Sequence, residues 1–330
     1  MKTILVTGGG GFIGSNLVAA LLERGTHHVV VCDIFGDSDK WRNLSKHIVF
    51  EIIHPDKMFD WIEFNRAHID MIYHLGSLSS TVETDIDAVL QNNFTLTLKL
   101  WRWCNARGIR LVYASASATY GDGSHGFEDS SDVNYLRSLK PLSGYGWSKH
   151  IFDVHVAAAV TRNEVSIPQW AGLKFFNTFG PNEYHKGDQR SVISKIAPAA
   201  LQGASVKLFK SYNAAYADGE QKRDVIYVKD CVRVMLWFLD NPHVSGLYNV
   251  GTGKASTYNE MAAAIFAAIG RKPNVNYIDM PEELVKKYQY YTEANMKKLR
   301  VAGYKADLTS LADGVRDYVQ NYLMKDDPYL

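Results

Sequence analysis

Tyr145 and Lys149 form a pair whose types and spacing could do chemistry. They stand in the segment Tyr-Gly-Trp-Ser-Lys, and on a helix this spacing puts the phenol and the ammonium one turn apart on the same face. A nearby positive charge favours the phenolate, so such a tyrosine can exchange a proton with a substrate hydroxyl near neutral pH. The pattern is common by chance, and it becomes informative only beside a site for a redox cofactor.

A glycine-rich turn near the start of the chain predicts such a cofactor site. Gly8, Gly11 and Gly14 follow a short apolar run and lead into a helical pattern that begins with Phe12 and Ile13. Glycines allow a tight strand-to-helix turn and let backbone N–H groups approach a pyrophosphate at a helix N-terminus. The position after a strand and before a helix favours a dinucleotide-binding turn over a plain loop.

An acidic residue after the next apolar run bears on the identity of the dinucleotide. Asp33 is placed to accept hydrogen bonds from the ribose hydroxyls of an adenosine, which favours NAD. Lys40 and Arg42 follow it, and they could bind the 2′-phosphate of NADP or be solvated surface charges. We expect NADP, with NAD as the alternative.

Short β-rich runs alternate with longer helical patterns through the first half of the chain. The runs cover 4–6, 29–32, 48–50, 71–75 and 111–114, and apolar residues recur at helical spacing over 12–24 and 85–107. This alternation predicts an α/β fold with a doubly wound parallel (Rossmann) sheet.

The pattern changes after about residue 176. We predict a helix near 191–201, a polar loop over 211–222, and then a strand at 225–227 and a helix at 231–239 that return to the first domain. The predicted dinucleotide-binding domain is 1–176 with a returning segment at about 222–250. Residues 177–221 and 251–330 mainly form a smaller α/β substrate-binding domain.

Composition narrows the classes of partner. The 330 residues are 46% hydrophobic, and Lys+Arg 36 against Asp+Glu 35 leaves a formal net charge of +1. This balance predicts neither a nucleic-acid partner nor an anionic membrane surface. The three cysteines form no CxxC pair and the histidines show no metal-ligand spacing, so we expect no metal. The spacing of the cysteines also suggests no disulfide framework, which favours a reducing cytoplasm. The N-terminus predicts neither a signal peptide nor a membrane span.

The glycine turn, the Tyr145–Lys149 pair and Tyr120-Gly121 resemble the extended short-chain dehydrogenases/reductases. Nearly the whole chain resembles the ADP-L-glycero-D-manno-heptose 6-epimerases, through segments at 79–81, 92–93, 118–121, 176–177, 180–187, 207–209, 222–224 and 288–289. The specific element is His185-Lys186-Gly187, because UDP-galactose-type epimerases and dehydratases do not share it.

The resemblance implies an isomerase that oxidises C6 of an ADP-heptose to a ketone and returns the hydride to the opposite face. It further implies a tightly bound and recycled cofactor, a homo-oligomer (a homopentamer), and supply of nucleotide sugar for the lipopolysaccharide inner core.

Catalytic roles follow from the same resemblance. The family's two proton acceptors correspond to Tyr145 and Lys186, one for each orientation of the intermediate, and Lys149 binds the cofactor and tunes Tyr145. The family's catalytic serine is replaced by Ala116. Ser117 is our first choice for the missing hydroxyl and Thr119 the second.

The resemblance also implies two sets of binding residues. The cofactor set is Gly8, Gly11, Phe12, Ile13, Gly14, Asp33, Ile34, Lys40, Leu75, Gly76, Ser77, Leu78, Ser79, Asn92, Tyr145, Lys149, Thr178 and Lys186. The substrate set is Ser79, Asn177, Asp188, Lys195, Phe209, Lys210, Ser211, Arg223 and Tyr288. Ile34, Leu75 and Asp188 depart from the family's usual residue types. Arg223 is suited to grip a diphosphate as a bidentate fork.

Two rival functions stay open. One is another nucleotide-sugar epimerase or a dehydratase of the same fold, although a dehydratase normally has an acidic pair beside its serine and residues 116–119 contain none. The other is a non-catalytic dinucleotide-binding sensor, which the alanine at the serine position suggests. The presence of Tyr145, Lys149 and Lys186 favours an enzyme over a sensor.

Overall fold

A computed structural model of the chain describes residues 1–81, 83–285 and 288–330. The strands in these ranges are β1 (Thr3–Thr7), β2 (His28–Cys32), β3 (Glu51–Ile53), β4 (Ile69–His74), β5 (Arg110–Ala116), β6 (Trp170–Phe175), β7 (Asn177–Phe179), β8 (Val206–Phe209), β9 (Lys222–Tyr227), β10 (Gly246–Val250), β11 (Ala255–Thr257) and β12 (Val275–Ile278). Seven of them form a parallel sheet in the order β10-β6-β5-β4-β1-β2-β3. The chain builds outward from β1 in both directions, so the strand order reverses between β1 and β4. Ligands of open α/β sheets bind at such a switch point.

Helices connect and cover these strands. They are α1 (Phe12–Arg24), α2 (Met58–Asn65), α3 (Ile86–Leu90), α4 (Leu96–Arg107), α5 (Val133–Ser138), α6 (Gly144–Thr161), α7 (Val192–Leu201), α8 (Val228–Asp240), α9 (Tyr258–Ala268), α10 (Glu282–Val285), α11 (Lys297–Val301) and α12 (Leu311–Tyr318). α1 packs against α8, and α6 packs against α3 and α5. No helix in the described ranges has the length and apolar character needed to cross a bilayer.

The prediction of a doubly wound parallel α/β sheet is confirmed, with two local differences. The third strand begins at Glu51 rather than at residue 48. It lies at the sheet edge, where Ile48 and Phe50 are 95% and 61% exposed, so their apolar character does not mark a buried strand. The predicted helix at 85–107 is interrupted by a π turn at Gln91–Thr95 between α3 and α4.

The second part of the fold has a hydrophobic core of its own. β7, β9 and β11 form a three-stranded sheet, and β8 pairs with β12. α7 and α12 both pack against α9, and apolar residues such as Ile193, Ile265 and Val315 are buried among them. The strand predicted at 225–227 lies in β9 of this small sheet, so the prediction that it returns to the first domain is wrong. The strand that returns is β10, which lies beside β6 in the large sheet, and α8 adds Met235 and Phe238 to the larger core. The two parts therefore exchange chain segments, and a cleft lies where they meet.

Candidate active site

A cleft of about 790 Å³ opens at the carboxyl ends of the strands at the switch point. Its walls are the glycine turn after β1, the loop after β4 and the end of β5 on one side. On the other side they are the loop before α7, with contributions from β9 and α9. The cleft therefore lies between the two hydrophobic cores and contacts residues of both.

The glycine turn is packed too closely for any side chain at two of its positions. A Cβ atom on Gly8, whose φ is +70°, would lie 2.5 Å from the backbone N of Gly76, and one on Gly14 would lie 2.1 Å from the carbonyl O of Gly8. Gly11 is the N-cap of α1, so the backbone N–H groups of its first turn face the cleft. Such a cradle fits the pyrophosphate of a dinucleotide.

Asp33 and Lys40 meet at one end of the cleft. Asp33 accepts hydrogen bonds from the backbone N of Gly10 at 2.8 Å and from the backbone N of Ile34 at 2.8 Å. Lys40 Nζ lies 2.6 Å from Asp33 Oδ1, and both side chains are mostly buried. The ammonium thus neutralises the carboxylate at the position where an adenosine ribose would bind.

The helix α6 carries Tyr145 and Lys149 in its first two turns. Ser143 caps it by accepting a hydrogen bond from the backbone N of Gly146 at 3.1 Å. Tyr145 lines the cleft, and burial raises its pKa to about 12. Lys149 lies behind it and donates to the carbonyl O of Ala114 at 2.9 Å. Burial lowers the pKa of Lys149 to about 8, and the charge of Asp153 opposes this shift. Burial of Tyr145 therefore works against the phenolate that we expected Lys149 to favour.

Of the two candidate hydroxyls, Ser117 lines the cleft and Thr119 does not. Ala116 ends β5, and Ser117 begins a 3₁₀ turn that runs to Tyr120. Thr119 is fully buried, donates to the carbonyl O of Ala116 at 2.8 Å and accepts from Lys174 Nζ at 2.8 Å. Its hydroxyl is committed to the interior, which leaves Ser117 as the better placed of the two.

A fully buried ion pair lies beneath this part of the cleft. Lys174 Nζ is 2.6 Å from Asp153 Oδ2, and neither side chain is exposed. Asp153 also accepts hydrogen bonds from Tyr113 Oη at 3.0 Å and from Ser115 Oγ at 2.7 Å. With Thr119, these contacts fix the end of β5 and the turn that follows it.

The loop between β7 and α7 brings Lys186 to the opposite side of the cleft. The ammonium lies 5.4 Å from the centroid of the Phe12 ring, at the start of α1. Burial lowers the pKa of Lys186, and the carboxylate of Glu183 opposes this. The neighbouring His185 is paired with Asn43 at 3.2 Å, and burial lowers the pKa of this imidazole to about 4. A neutral His185 therefore links the Lys186 loop to the nucleotide end.

The remaining predicted cofactor residues divide into two groups. Those that line the cleft are Phe12, Ile13, Leu75, Gly76, Ser77, Ser79 and Thr178, together with the glycines, Asp33, Lys40, Tyr145 and Lys186. Ile34, Leu78, Asn92 and Lys149 do not. Ile34 is 56% exposed, and the Asn92 amide donates to the carbonyl O of Ala88.

The predicted substrate residues divide in the same way. Those that line the cleft are Ser79, Asn177, Asp188, Lys195 and Arg223. Phe209, Lys210 and Ser211 lie away from it, because Asp218 holds the backbone N of Ser211 and Lys210 pairs with Asp279. Tyr288 is also outside the lining, but its ring lies 5.2 Å from the guanidinium of Arg223.

Several residues at the site were not among the predicted binding residues. Asn93, next to Asn92, is buried and joins the loop after β4 to α6, because it bonds both backbone groups of Leu78 and the hydroxyl of Ser148. His185 and Gln289 line the cleft, and each stood inside a recognised motif. Arg190 also lines it and adds a cation beside Lys186, Lys195 and Arg223, and no sequence motif pointed to it.

The charges of the cleft suit an anionic ligand. Among the residues that the structure describes, five cationic side chains line the cleft against two carboxylates; the cations are Lys40, Lys186, Arg190, Lys195 and Arg223, and the anions are Asp33 and Asp188. Within the described ranges, no three His, Cys, Asp or Glu side chains are grouped as metal ligands. The arrangement can bind phosphates at both ends and exchange protons near Tyr145 and Lys186.

Comparison with known proteins gives consistent results. The profile of the NAD dependent epimerase/dehydratase family matches residues 4–251. An ADP-L-glycero-D-manno-heptose-6-epimerase of Nitratidesulfovibrio vulgaris is 47% identical over 328 residues, which cover 99% of each chain.

Solved structures point the same way. The ADP-L-glycero-D-manno-heptose-6-epimerase of Helicobacter pylori aligns with a TM-score of 0.76 at 26% identity, over 97% of this chain and 96% of that one. A UDP-glucuronic acid 4-epimerase of Bacillus cereus, in complex with UDP-glucuronic acid and NAD, aligns with a TM-score of 0.73 at 25% identity, over 97% and 99% of the two chains. The chain therefore belongs to the NAD dependent epimerase/dehydratase family, and among its near-full-length relatives at 43–47% identity are proteins named ADP-L-glycero-D-manno-heptose-6-epimerase.

Proposed function

We propose that the protein converts ADP-D-glycero-D-manno-heptose to ADP-L-glycero-D-manno-heptose by transient oxidation at C6. One observation carries the proposal: Tyr145 and Lys186, which come from separate elements, line the same cleft as the glycine turn. A reaction that inverts one carbon through a planar ketone needs an acid/base group for each orientation of that ketone. The names of two near-full-length relatives, at 47% and 43% identity, support this substrate.

The proposed mechanism uses the two groups in turn. The glycine turn after β1, Asp33 and Lys40 would hold a nicotinamide dinucleotide, which would supply the hydride acceptor and donor for C6. One of Tyr145 and Lys186 removes the C6 hydroxyl proton, which leaves a ketone at C6. After rotation of the C6 side chain presents the other face of the ketone, the second group donates the proton to the C6 oxygen. Ser117 hydrogen-bonds the reacting oxygen, and Arg223 and Lys195 hold the diphosphate.

The direct test is incubation of the purified protein with ADP-D-glycero-D-manno-heptose and no added cofactor, with the C6 epimers followed by proton NMR. Appearance of the L-glycero epimer supports the reaction and a retained cofactor together. If no epimer forms even with added NADP or NAD, the proposal fails. Turnover of another nucleotide sugar then favours a different epimerase or a dehydratase, and cofactor binding without turnover favours the sensor.

Replacement of Lys186 by methionine tests the second acid/base group. Lys186→Met keeps most of the length of the side chain but removes the ammonium, which is the group that lies over the Phe12 ring. We expect the epimerisation rate to fall at least tenfold while the cofactor stays bound, because one orientation of the ketone loses its proton partner. Progress curves from both epimers and the bound cofactor are the measurements. Lys272→Met, on an exposed loop after α9, is the matched control. Full activity in Lys186→Met would rule out the two-group mechanism.

We propose NADP as the resident cofactor. Lys40 cancels the charge of Asp33, which would otherwise repel a 2′-phosphate, and its ammonium can bond that phosphate. In Lys40→Ala, we expect NADP affinity to fall about tenfold or more and NAD affinity to change little. Titration of the cofactor-stripped protein with each dinucleotide measures this, with the exposed Lys57→Ala as control. An equal loss of affinity for both dinucleotides would contradict the assignment.

We also propose a homo-oligomer, a homopentamer by family resemblance, in the cytoplasm. The three cysteines are free and buried, which suits a reducing compartment. In this setting the product supplies the nucleotide sugar for the lipopolysaccharide inner core.

A further inference from the structure

A fully buried glutamate lies at the base of the loop that carries Lys186. The loop starts at Gly180, whose φ of +144° ends β7, and finishes at Ser191, the N-cap of α7. Glu183 is 0% exposed although it lies only three residues before Lys186. A carboxylate without access to water requires a specific set of hydrogen bonds.

The carboxylate of Glu183 joins the two ends of this loop. Its Oε1 accepts from the backbone N of Gly180 at 3.2 Å and from Ser191 Oγ at 2.8 Å, and its Oε2 accepts from the backbone N of Ser191 at 2.5 Å. The backbone O of Glu183 accepts from the backbone N of Lys186 at 3.1 Å, which forms the turn that presents the lysine. One residue therefore closes the loop and shapes its turn.

The same carboxylate is the negative charge that acts on Lys186. It opposes the effect of burial, which lowers the pKa of the ammonium. The other groups near the lysine are the Phe12 ring and the imidazole of His185, and the charges of Lys40 and Asp33 act on that imidazole from the nucleotide end. Asp188 follows on the same loop and is exposed. Glu183 is thus both a support and a counter-charge.

We propose that Glu183 is a positioning residue for the reaction, which acts on the substrate only through Lys186 by closing the loop at residues 180–191 and balancing the charge of the ammonium. The proposal rests on the proposed role of Lys186 in epimerisation. Glu183→Gln is the informative variant, because the amide keeps the size of the side chain but has no charge and cannot accept all three hydrogen bonds.

The first experiment is a double-mutant cycle on epimerisation with Glu183→Gln, Lys186→Met and the double variant. We expect Glu183→Gln to lose about tenfold in turnover and the double variant to be no slower than Lys186→Met alone, because residues that act through one another are not additive. Glu293→Gln is the matched control, since Glu293 also accepts a backbone N–H, at 3.0 Å, but lies outside the cleft. Effects of Glu183→Gln and Lys186→Met that simply multiply would overturn the proposal.

The second experiment does not depend on epimerisation. The rate of Lys186 acetylation by acetic anhydride, followed by mass spectrometry across pH, reports the fraction of neutral amine. Loss of the counter-charge lowers the pKa of Lys186, so we expect the midpoint of this profile to move to lower pH in Glu183→Gln. If the substitution changed only the access of acetic anhydride to Lys186, the plateau rate of acetylation at high pH would change and the midpoint pH would not. If the midpoint pH is the same in Glu183→Gln as in the parent, the proposed role of Glu183 is wrong. If the midpoint pH shifts in Glu183→Gln but Lys186→Met remains fully active, the proposed role of Lys186 in epimerisation is wrong and the electrostatic effect of Glu183 stands.

A milder variant covers the case in which Glu183→Gln does not fold. Ser191→Ala removes one of the three contacts of Glu183, together with the cap hydrogen bond from the backbone N of Ser194, and leaves the charge of Glu183 in place. We expect a smaller loss of turnover and no shift of the acetylation midpoint. A midpoint shift as large as the one expected for Glu183→Gln would show that the charge of Glu183 does not set it.

Discussion

Conversion of Tyr145 to phenylalanine should lower the epimerisation rate by about 10²- to 10⁴-fold, the range expected when a positioned acid/base group is removed. The change removes one oxygen atom from a side chain that lines the cleft, and the contacts of Lys149 with Ala114 do not involve it. We therefore expect the cofactor to remain bound and the thermal midpoint to stay within a few degrees of the parent. Single-turnover NMR of the epimers and the absorbance of the bound cofactor are the measurements.

The control for this prediction is another tyrosine with a hydrogen-bonded hydroxyl. Tyr277 lies on β12, is partly exposed, and bonds Asn259 at 3.0 Å outside the cleft. Tyr277→Phe should turn over at the parental rate. If Tyr145→Phe retained more than about a tenth of the parental rate, the phenol would not be the acid/base group, and Ser117 would become the candidate.

Loss of Lys174 should destabilise the fold more than any surface change. Lys174→Met leaves Asp153 without its counter-charge in a site with no exposure to water. Breaking a buried ion pair on one side costs about 3–5 kcal/mol in the free energy of unfolding. Urea denaturation of the parent and the variant measures the difference. The size of the loss reflects the cost of an unpaired buried charge, not the net contribution of the pair.

Two further variants check this interpretation. Lys174→Met combined with Asp153→Asn removes both charges and should recover part of the lost stability. Arg316→Met removes one partner of an exposed pair with Asp313 at 2.9 Å, where we expect a change below about 1 kcal/mol. Equal losses in Lys174→Met and Arg316→Met would mean that the buried pair is not the source of the effect.

Local patterns made the geometry of the glycine turn and of the helix that carries Tyr145 predictable from the sequence. The turn at Gly8 and Gly14 depends on the absence of side chains over a few residues, and α1 begins and ends where its apolar spacing predicts. The Tyr145–Lys149 pair is likewise a local helical relation. The alternation of strands and helices was enough to predict the doubly wound sheet, because that topology follows from the order of elements.

Features that depend on distant contacts were not predictable. Asn93 and Asn92 look alike in the sequence, and only the packing of α6 on the π turn decides that Asn93 is the one that bonds Ser148 of α6. Residues Phe209–Ser211 lie away from the cleft because Asp218 binds the backbone N of Ser211. The position of Arg190 depends on the loop that Glu183 closes. The choice of Ser117 over Thr119 likewise rests on the buried Lys174, which takes up the threonine hydroxyl.

The buried pair of Asp153 and Lys174 has a consequence for how this sequence can diverge. A neutral replacement at either position alone leaves an unpaired buried charge. Most variants that carry such a replacement would therefore lose the stability that the fold needs and be removed by selection. The two positions lie 21 residues apart, on α6 and β6. We therefore expect them to co-vary among related chains, with an acidic residue at one position accompanied by a basic residue at the other, and with neutral pairs arising together.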